Sequence, residues 1–137
     1  SINHLSSFKD WQAMFRNVAA HLSPGGVFIF DMNTLYAFEA FEKRSPMVEE
    51  EQDTLMVTHF KQPRADQLAI DMRMLRKTKG NVYKEFRTTI MERSYPFQQV
   101  RKSLQKYFSQ VDCRDMELHT KANRPHRYSE VLYFVCR

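Results

Sequence analysis

The chain reads Leu22-Ser23-Pro24-Gly25-Gly26-Val27-Phe28-Ile29-Phe30-Asp31 directly after a segment with helical periodicity. Pro24 has no backbone N–H with which to continue a helix, and the two glycines permit a tight reversal. The apolar run 27–30 predicts a short strand buried on both faces, as in a mostly parallel sheet. Ligands in open α/β sheets bind outside the carboxyl ends of such strands, so the polar residues that follow are predicted to lie at a functional edge.

Two helices are predicted on either side of this strand. Ser7 and Asp10 form a capping-box pattern before a helix over 8–22, whose apolar residues recur at helical spacing. Thr34 is the predicted N-cap of a short helix over 35–41. The aromatic stripe of the first helix needs a sheet to cover, and the following strand begins to supply one.

The pattern then changes from helical periodicity to alternation. Three alternating runs, 55–60, 68–75 and 82–93, are separated by turn-forming residues. They predict an antiparallel β-meander with one apolar and one polar face. Its methionines, Met56, Met72, Met74 and Met91, are open to two interpretations: they pack against the helices as core, or they form a flexible cover over a ligand.

The last third of the chain predicts a helix followed by two strands. The helix spans 96–108 and has Pro96 in its first turn, where a missing N–H costs nothing. The strands are predicted over 111–118 and 130–136, with a polar, basic loop at 119–127 between them.

This ordered series resembles the C-terminal region of the class I S-adenosylmethionine-dependent methyltransferases. Ser1-Ile2-Asn3-His4-Leu5 resembles the segment after their fourth strand, and Pro24-Gly25-Gly26 the turn before their fifth. Glu92-Arg93-Ser94-Tyr95 resembles the return from an insertion to the main sheet. The resemblance implies an α/β fold: the last three strands of a Rossmann-like sheet, with an inserted antiparallel β-meander. It divides the chain into core residues 1–48, an inserted β cover at 49–93, and the last helix and strands at 94–137.

The family's glycine-rich cofactor loop has no counterpart here. The chain holds three glycines, and none of them forms such a loop. We therefore expect the chain to be the C-terminal part of a longer methyltransferase, beginning near the end of the fourth strand and inactive alone. The sequence upstream of Ser1 is the observation that would test this expectation.

The resemblance also implies the cofactor, S-adenosylmethionine, and a set of site residues. The predicted cofactor-side residues are Ser1, Asn3 and His4, of which Asn3 and His4 could equally lie on the acceptor side. The predicted substrate-binding residues are Asp31, Asn33, Tyr36, Arg93 and Tyr95. Turn or helix capping is the alternative role for Asn3 and Asn33, and a salt bridge or plain packing for Arg93 and Tyr95. No catalytic residue is assigned, because methyl transfer depends mainly on alignment of the acceptor.

The charge, hydropathy and cysteine content of the chain bear on which classes of function are possible. A net charge of +5 and a pI near 9.3 would suit a nucleic-acid partner, but acidic and basic residues are interleaved, as on an ordinary solvated surface.

No apolar run approaches the roughly 18–20 residues that span a membrane. Neither His21 nor His59 has partners at metal-ligand spacing, so no metal is predicted. Cys113 and Cys136 predict free thiols in a reducing cytoplasm, although facing positions on neighbouring strands would allow a bridge.

Three functions follow from these patterns. We expect methyl transfer to a small-molecule acceptor. The alternative is a non-catalytic module that binds a ligand or oligomerises, and the third, RNA or DNA binding, is disfavoured by the interleaved charges. If the strand at 27–30 lacks its neighbour, its bare edge is expected to pair with another chain as a homo-oligomer.

Overall fold

The computed structural model describes residues 1–80, 82–116 and 124–137. In that part of the chain, three α-helices and seven strands follow a short 3-10 helix. In chain order the elements are the 3-10 helix Ile2–His4, α1 (Phe8–His21), β1 (Phe28–Asn33), α2 (Leu35–Lys43), β2 (Met47–Glu51), β3 (Thr54–Arg64), β4 (Gln67–Lys77), β5 (Tyr83–Arg93), α3 (Phe97–Leu104), β6 (Val111–Asp115) and β7 (Val131–Cys136).

The first sheet has the strand order β1-β7-β6, with both pairings antiparallel. The final strand thus lies beside the strand after Pro24-Gly25-Gly26, as the methyltransferase resemblance implies. Helices α1 and α3 pack on one face of this sheet. The core between them contains Trp11, Phe15, Met32, Val100, Leu104, Leu132, Phe134 and Cys136. The predicted fold class, a partial Rossmann-like sheet carrying an antiparallel meander, is confirmed.

The predicted burial of β1 on both faces is wrong. Met32 is buried with Phe28 and Phe30 packed against the core, whereas Val27 is 41% and Ile29 49% exposed. Side chains alternate along a strand, and the residues of α1 and α3 that reach the core meet only one face of the sheet. An unbroken apolar run therefore predicts a strand that is buried on both faces only if other elements pack on both faces of the sheet.

The second sheet is the meander, with strand order β2-β3-β4-β5 and antiparallel pairing throughout. Its three long strands match the three predicted alternating runs, but β2 was not predicted because its sequence, Met-Val-Glu-Glu-Glu, does not alternate. The register places Met56, Met74 and Phe86 in one row across the sheet. Met91 pairs with Ala69, on the opposite face, so its assignment to the same methionine face is wrong.

Several predicted element ends differ from those in the structure, and the differences at α3 and β6 are described here. Helix α3 ends at Leu104, four residues before the predicted end, and Pro96 is its N-cap rather than part of the first turn. Phe108 nevertheless stays in the core. Strand β6 ends at Asp115, and the predicted continuation to residue 118 and the predicted basic-loop residue His119 lie outside the described residues. Among the helices described, none is long and apolar enough to cross a membrane.

Candidate functional site

Asn3 is the centre of a buried polar cluster at the carboxyl end of β1. Its side chain is fully buried, and its Nδ2 donates to the backbone oxygens of Asn33 at 3.0 Å and Arg93 at 2.8 Å. Its Oδ1 accepts the backbone N–H of Asn33 at 2.9 Å and the Ser1 hydroxyl at 2.9 Å. Ser94 adds a bond from its hydroxyl to the Asn33 oxygen at 2.7 Å. This amide therefore holds the 3-10 helix, β1 and β5 together.

A carboxylate lies next to this cluster and faces a histidine. The Glu92 side chain is 6% exposed, and its Oε2 accepts a bond from Asn33 Nδ2 at 2.9 Å. Its Oε1 lies 4.0 Å from Nε2 of His4, whose side chain is 49% exposed. This separation is longer than a hydrogen bond, so the carboxylate acts on the ring through its charge. His4 therefore lies beside a buried carboxylate and is accessible to a ligand.

The remaining predicted residues lie in different environments. Ser1 caps the 3-10 helix, and Asp31 is exposed on the uncovered face of β1. The Arg93 guanidinium donates to Asp66 Oδ2 at 2.8 Å, which ties the β3–β4 turn to the end of β5. The structure thus brings Ser1, Asn3, Asn33 and the backbone of Arg93 together, and leaves Asp31 apart from them.

Tyr36 and Tyr95 share a cleft on the other side of the β1 end. The cleft has a volume of about 370 Å³, and Met32 and Leu132 lie among its lining. Met32 and Thr34 line it, whereas Asn33 between them turns its side chain to Glu92. The end of β1 therefore serves two neighbouring regions, one polar and one aromatic.

Tyr95 links this cleft to the core. Its ring lies 4.8 Å from that of Phe8 and meets the Trp11 ring edge-on at 5.1 Å. Burial raises the pKa of its hydroxyl, and the nearby Arg93 opposes that rise. Its phenol is therefore neutral over the ordinary working range of pH, suited to hydrogen bonding rather than to proton abstraction.

Sequence reasoning did not single out Glu92 or Ser94 as site residues. Both belong to the quoted motif at the return from the meander, but the bonds that matter join positions 59 and 61 residues apart. The alternation of side chains along β5 is the signal that could have identified Glu92. It places this acidic residue on the apolar face of the strand, opposite Leu68. Among the described residues, no group of histidine, cysteine and carboxylate side chains has the arrangement of a metal site.

Among the comparisons with known proteins, only the comparison with solved structures gives matches. No protein-family model and no curated relative matches the chain. Solved structures do match along almost its whole length. An S-adenosylmethionine-dependent methyltransferase from Clostridium acetobutylicum superposes with a TM-score of 0.82 at 21% identity, covering 100% of this chain and 54% of that one. DesVI from Streptomyces venezuelae superposes with a TM-score of 0.70 at 14% identity, covering 98% of this chain and 53% of that one. A sugar N-methyltransferase from Streptoalloteichus superposes with a TM-score of 0.61 at 12% identity, covering 99% of this chain and 52% of that one.

The chain therefore has the fold of part of the S-adenosylmethionine-dependent methyltransferases. It spans about half the length of the structures that it matches. That share is consistent with the C-terminal portion predicted from the order of its motifs.

Proposed function

We propose that the chain is part of an enzyme that transfers a methyl group from S-adenosylmethionine to a small-molecule acceptor. The observation that carries this proposal is the polar cluster of Asn3, Asn33 and Glu92 beside the accessible His4, at the carboxyl end of β1 in a methyltransferase fold. Open α/β sheets bind their ligands at this edge. A solved neighbour is described as an amino pentose methyltransferase with S-adenosylmethionine bound, which supports a small-molecule acceptor.

The residues present fit a supporting part of the cofactor site. The amide of Asn3 is fully engaged by protein groups, so its role is to position the segment that bears His4. Ser1 is exposed and His4 half-exposed, and both are available to a ligand. When bound, S-adenosylmethionine supplies an activated methyl group, so the protein's main task is alignment and exclusion of water.

Different residues of the chain are proposed to accept a proton from the methyl acceptor and to bind its rings. Asn33 holds Glu92, whose carboxylate lies 4.0 Å from the His4 ring, and an imidazole at this position can accept the proton that an amine or hydroxyl loses on methylation. Tyr36 and Tyr95 supply ring surfaces in the adjoining cleft. Asp31 and Arg93 stay in the proposed substrate-binding set, although Asp31 lies apart from the cluster and the Arg93 guanidinium is paired with Asp66.

Calorimetry with S-adenosylhomocysteine tests the proposal directly. We expect the full-length product of the gene to bind it and the 137-residue chain alone to show no heat of binding, because the three glycines present form no glycine-rich loop. His4→Asn in the full-length protein should lower the turnover of an identified acceptor by a larger factor than it weakens the binding of S-adenosylhomocysteine, because the variant loses the proton acceptor but keeps a polar side chain on the cofactor side. Absence of binding by the full-length protein would reject the proposal, as would an open reading frame that begins near Ser1.

The domain division and the location remain part of the proposal. Residues 1–48 and 94–137 form the core and 49–93 a cover, which is supported by the separate sheet of β2 to β5. The free thiols of Cys113 and Cys136 support a cytoplasmic location.

A second candidate function is a non-catalytic oligomerisation module. Within residues 1–80, 82–116 and 124–137, β1 pairs only with β7, and Ile29 is 49% exposed beside that open edge. An unpaired apolar edge favours pairing with a second copy. Light scattering on the 137-residue chain should then give twice the monomer mass, and Ile29→Lys should restore a monomer. A monomer at all concentrations would exclude this function.

A further inference from the structure

The cleft that contains Tyr36 and Tyr95 has the form of a site for a ring compound. Its volume of about 370 Å³ falls in the range of small-molecule sites. The apolar side chains of Met32 and Leu132 line it together with the ring of Phe97. Aromatic walls with an apolar lining favour a flat ring, which can stack or meet the rings edge-on.

The cleft carries one fixed positive charge at its rim. Among the described residues that line it, Arg127 is the only lysine or arginine, and no aspartate or glutamate lines it. The Arg127 guanidinium lies 4.3 Å from the centre of the Tyr128 ring, and Tyr128 meets Tyr36 edge-on at 5.4 Å. A guanidinium held over an aromatic face keeps its in-plane N–H groups free to bind a carboxylate or phosphate.

The neighbouring histidine forms part of the wall of the cleft and is held by two contacts. His126 Nδ1 accepts the backbone N–H of Tyr128 at 3.2 Å. Nε2 lies 3.0 Å from Oδ2 of Asp115, whose side chain is fully buried. Both ring nitrogens of His126 are thus engaged by protein groups, which leaves Arg127 as the charged side chain of the lining that is available to an anion.

We propose that this cleft binds a planar aromatic ring bearing one anionic group, with the ring against Tyr36 and the anion at Arg127. That the bound compound is the methyl acceptor rests on the proposed function, whereas the preference for an aromatic anion rests on the cleft alone. Carboxylate and phosphate share the required chemistry, and the test below separates them.

The test is an NMR titration of the protein with matched probes, followed at the Tyr36 and His126 resonances and without cofactor. Benzoate should bind about fivefold more tightly than benzamide, because a charge-assisted bond at an exposed arginine is stronger than a neutral one. Phenyl phosphate ranks above or below benzoate according to the natural anion. Cyclohexanecarboxylate should bind more weakly than benzoate because it cannot stack.

Two variants and a control complete the test. Arg127→Gln should abolish the preference of benzoate over benzamide without changing the affinity for benzamide. Tyr36→Leu should weaken both, whereas Arg114→Gln, an equivalent change at an exposed residue of β6, should change neither. Equal binding of benzoate and benzamide, or an unchanged preference in Arg127→Gln, would overturn the assignment. Binding of benzoate by a full-length protein that ignores S-adenosylhomocysteine would reject methyl transfer and keep the aromatic-anion site.

Discussion

Substituting Asn3 by alanine removes the amide that joins the 3-10 helix to β1 and β5. The backbone N–H of Asn33 and the backbone oxygen of Arg93 both lose their side-chain partner, whereas the Asn33 oxygen keeps its bond from Ser94. Each unsatisfied buried polar group costs about 1–3 kcal/mol. Two such groups predict a loss of about 3 kcal/mol, a large share of a small domain's stability of about 5–15 kcal/mol.

Urea unfolding followed by the fluorescence of the buried Trp11 measures this loss. The midpoint should fall while the m-value is retained, because the same surface is exposed on unfolding. Asn17→Ala is the matched control, since Asn17 is exposed on α1, and it should change stability by less than about 0.5 kcal/mol. A loss below about 1 kcal/mol for Asn3→Ala would refute the assignment of this amide as a structural tie.

A double-mutant cycle tests whether Asn3 and Ser94 share the Asn33 backbone oxygen as their acceptor. Ser94→Ala alone should cost about 1 kcal/mol, because the Asn33 oxygen keeps its bond from Asn3. With both residues replaced, that oxygen has neither side-chain donor, so the double variant should lose about 1 kcal/mol more than the sum of the singles. Simple additivity would show that the two donors do not share the acceptor in solution.

Three further measurements follow from other contacts. Thr34→Ala should lower the free energy of unfolding by about 2 kcal/mol, because the hydroxyl caps α2 and also donates to the Ser129 oxygen, whereas Thr34→Ser should retain most of it. Ser103→Ala should be neutral or raise stability by about 0.5 kcal/mol, since its buried hydroxyl has no partner among the described residues; a loss above 1 kcal/mol would contradict this. Burial raises the pKa of Cys113 to about 12 from 9.0, so its contribution to stability is complete below pH 9 and is lost as the pH rises toward 12. Stability curves of wild type and Cys113→Ala between pH 8 and 11 should therefore differ in slope, and parallel curves would contradict the shift.

The sequence was most informative where local chemistry decides the structure. Ser7 caps α1, and Thr34 caps α2, as their side chains predict. The alternation of 68–75 predicted β4 because one of its faces is apolar. Such signals depend on neighbours within a few residues, and tertiary contacts only reinforce them.

The errors arose where a distant part of the chain decides the structure. Ile29 is apolar but exposed, because coverage of a strand depends on layers elsewhere in the fold. Strand β2 forms by pairing with β3 although its acidic run, Glu49 to Glu51, does not alternate with apolar residues. Glu92 escaped notice as a site residue for the same reason, since its partners are His4 and Asn33. A single sequence carries no record of such pairs.

The tie formed by Asn3 also bears on how this chain can change over evolution. It fixes Asn33 and Arg93 to the same side chain, so the two ends of the intervening segment, residues 34–92, meet at one point. A lengthened hairpin between them would add only about 0.6 kcal/mol of closure entropy for each doubling of the loop, and would not shift the anchored ends. The meander can therefore change in length at turns other than the β3–β4 turn, whose Asp66 binds Arg93, and in sequence on its exposed face, while the polar cluster at its base keeps its geometry.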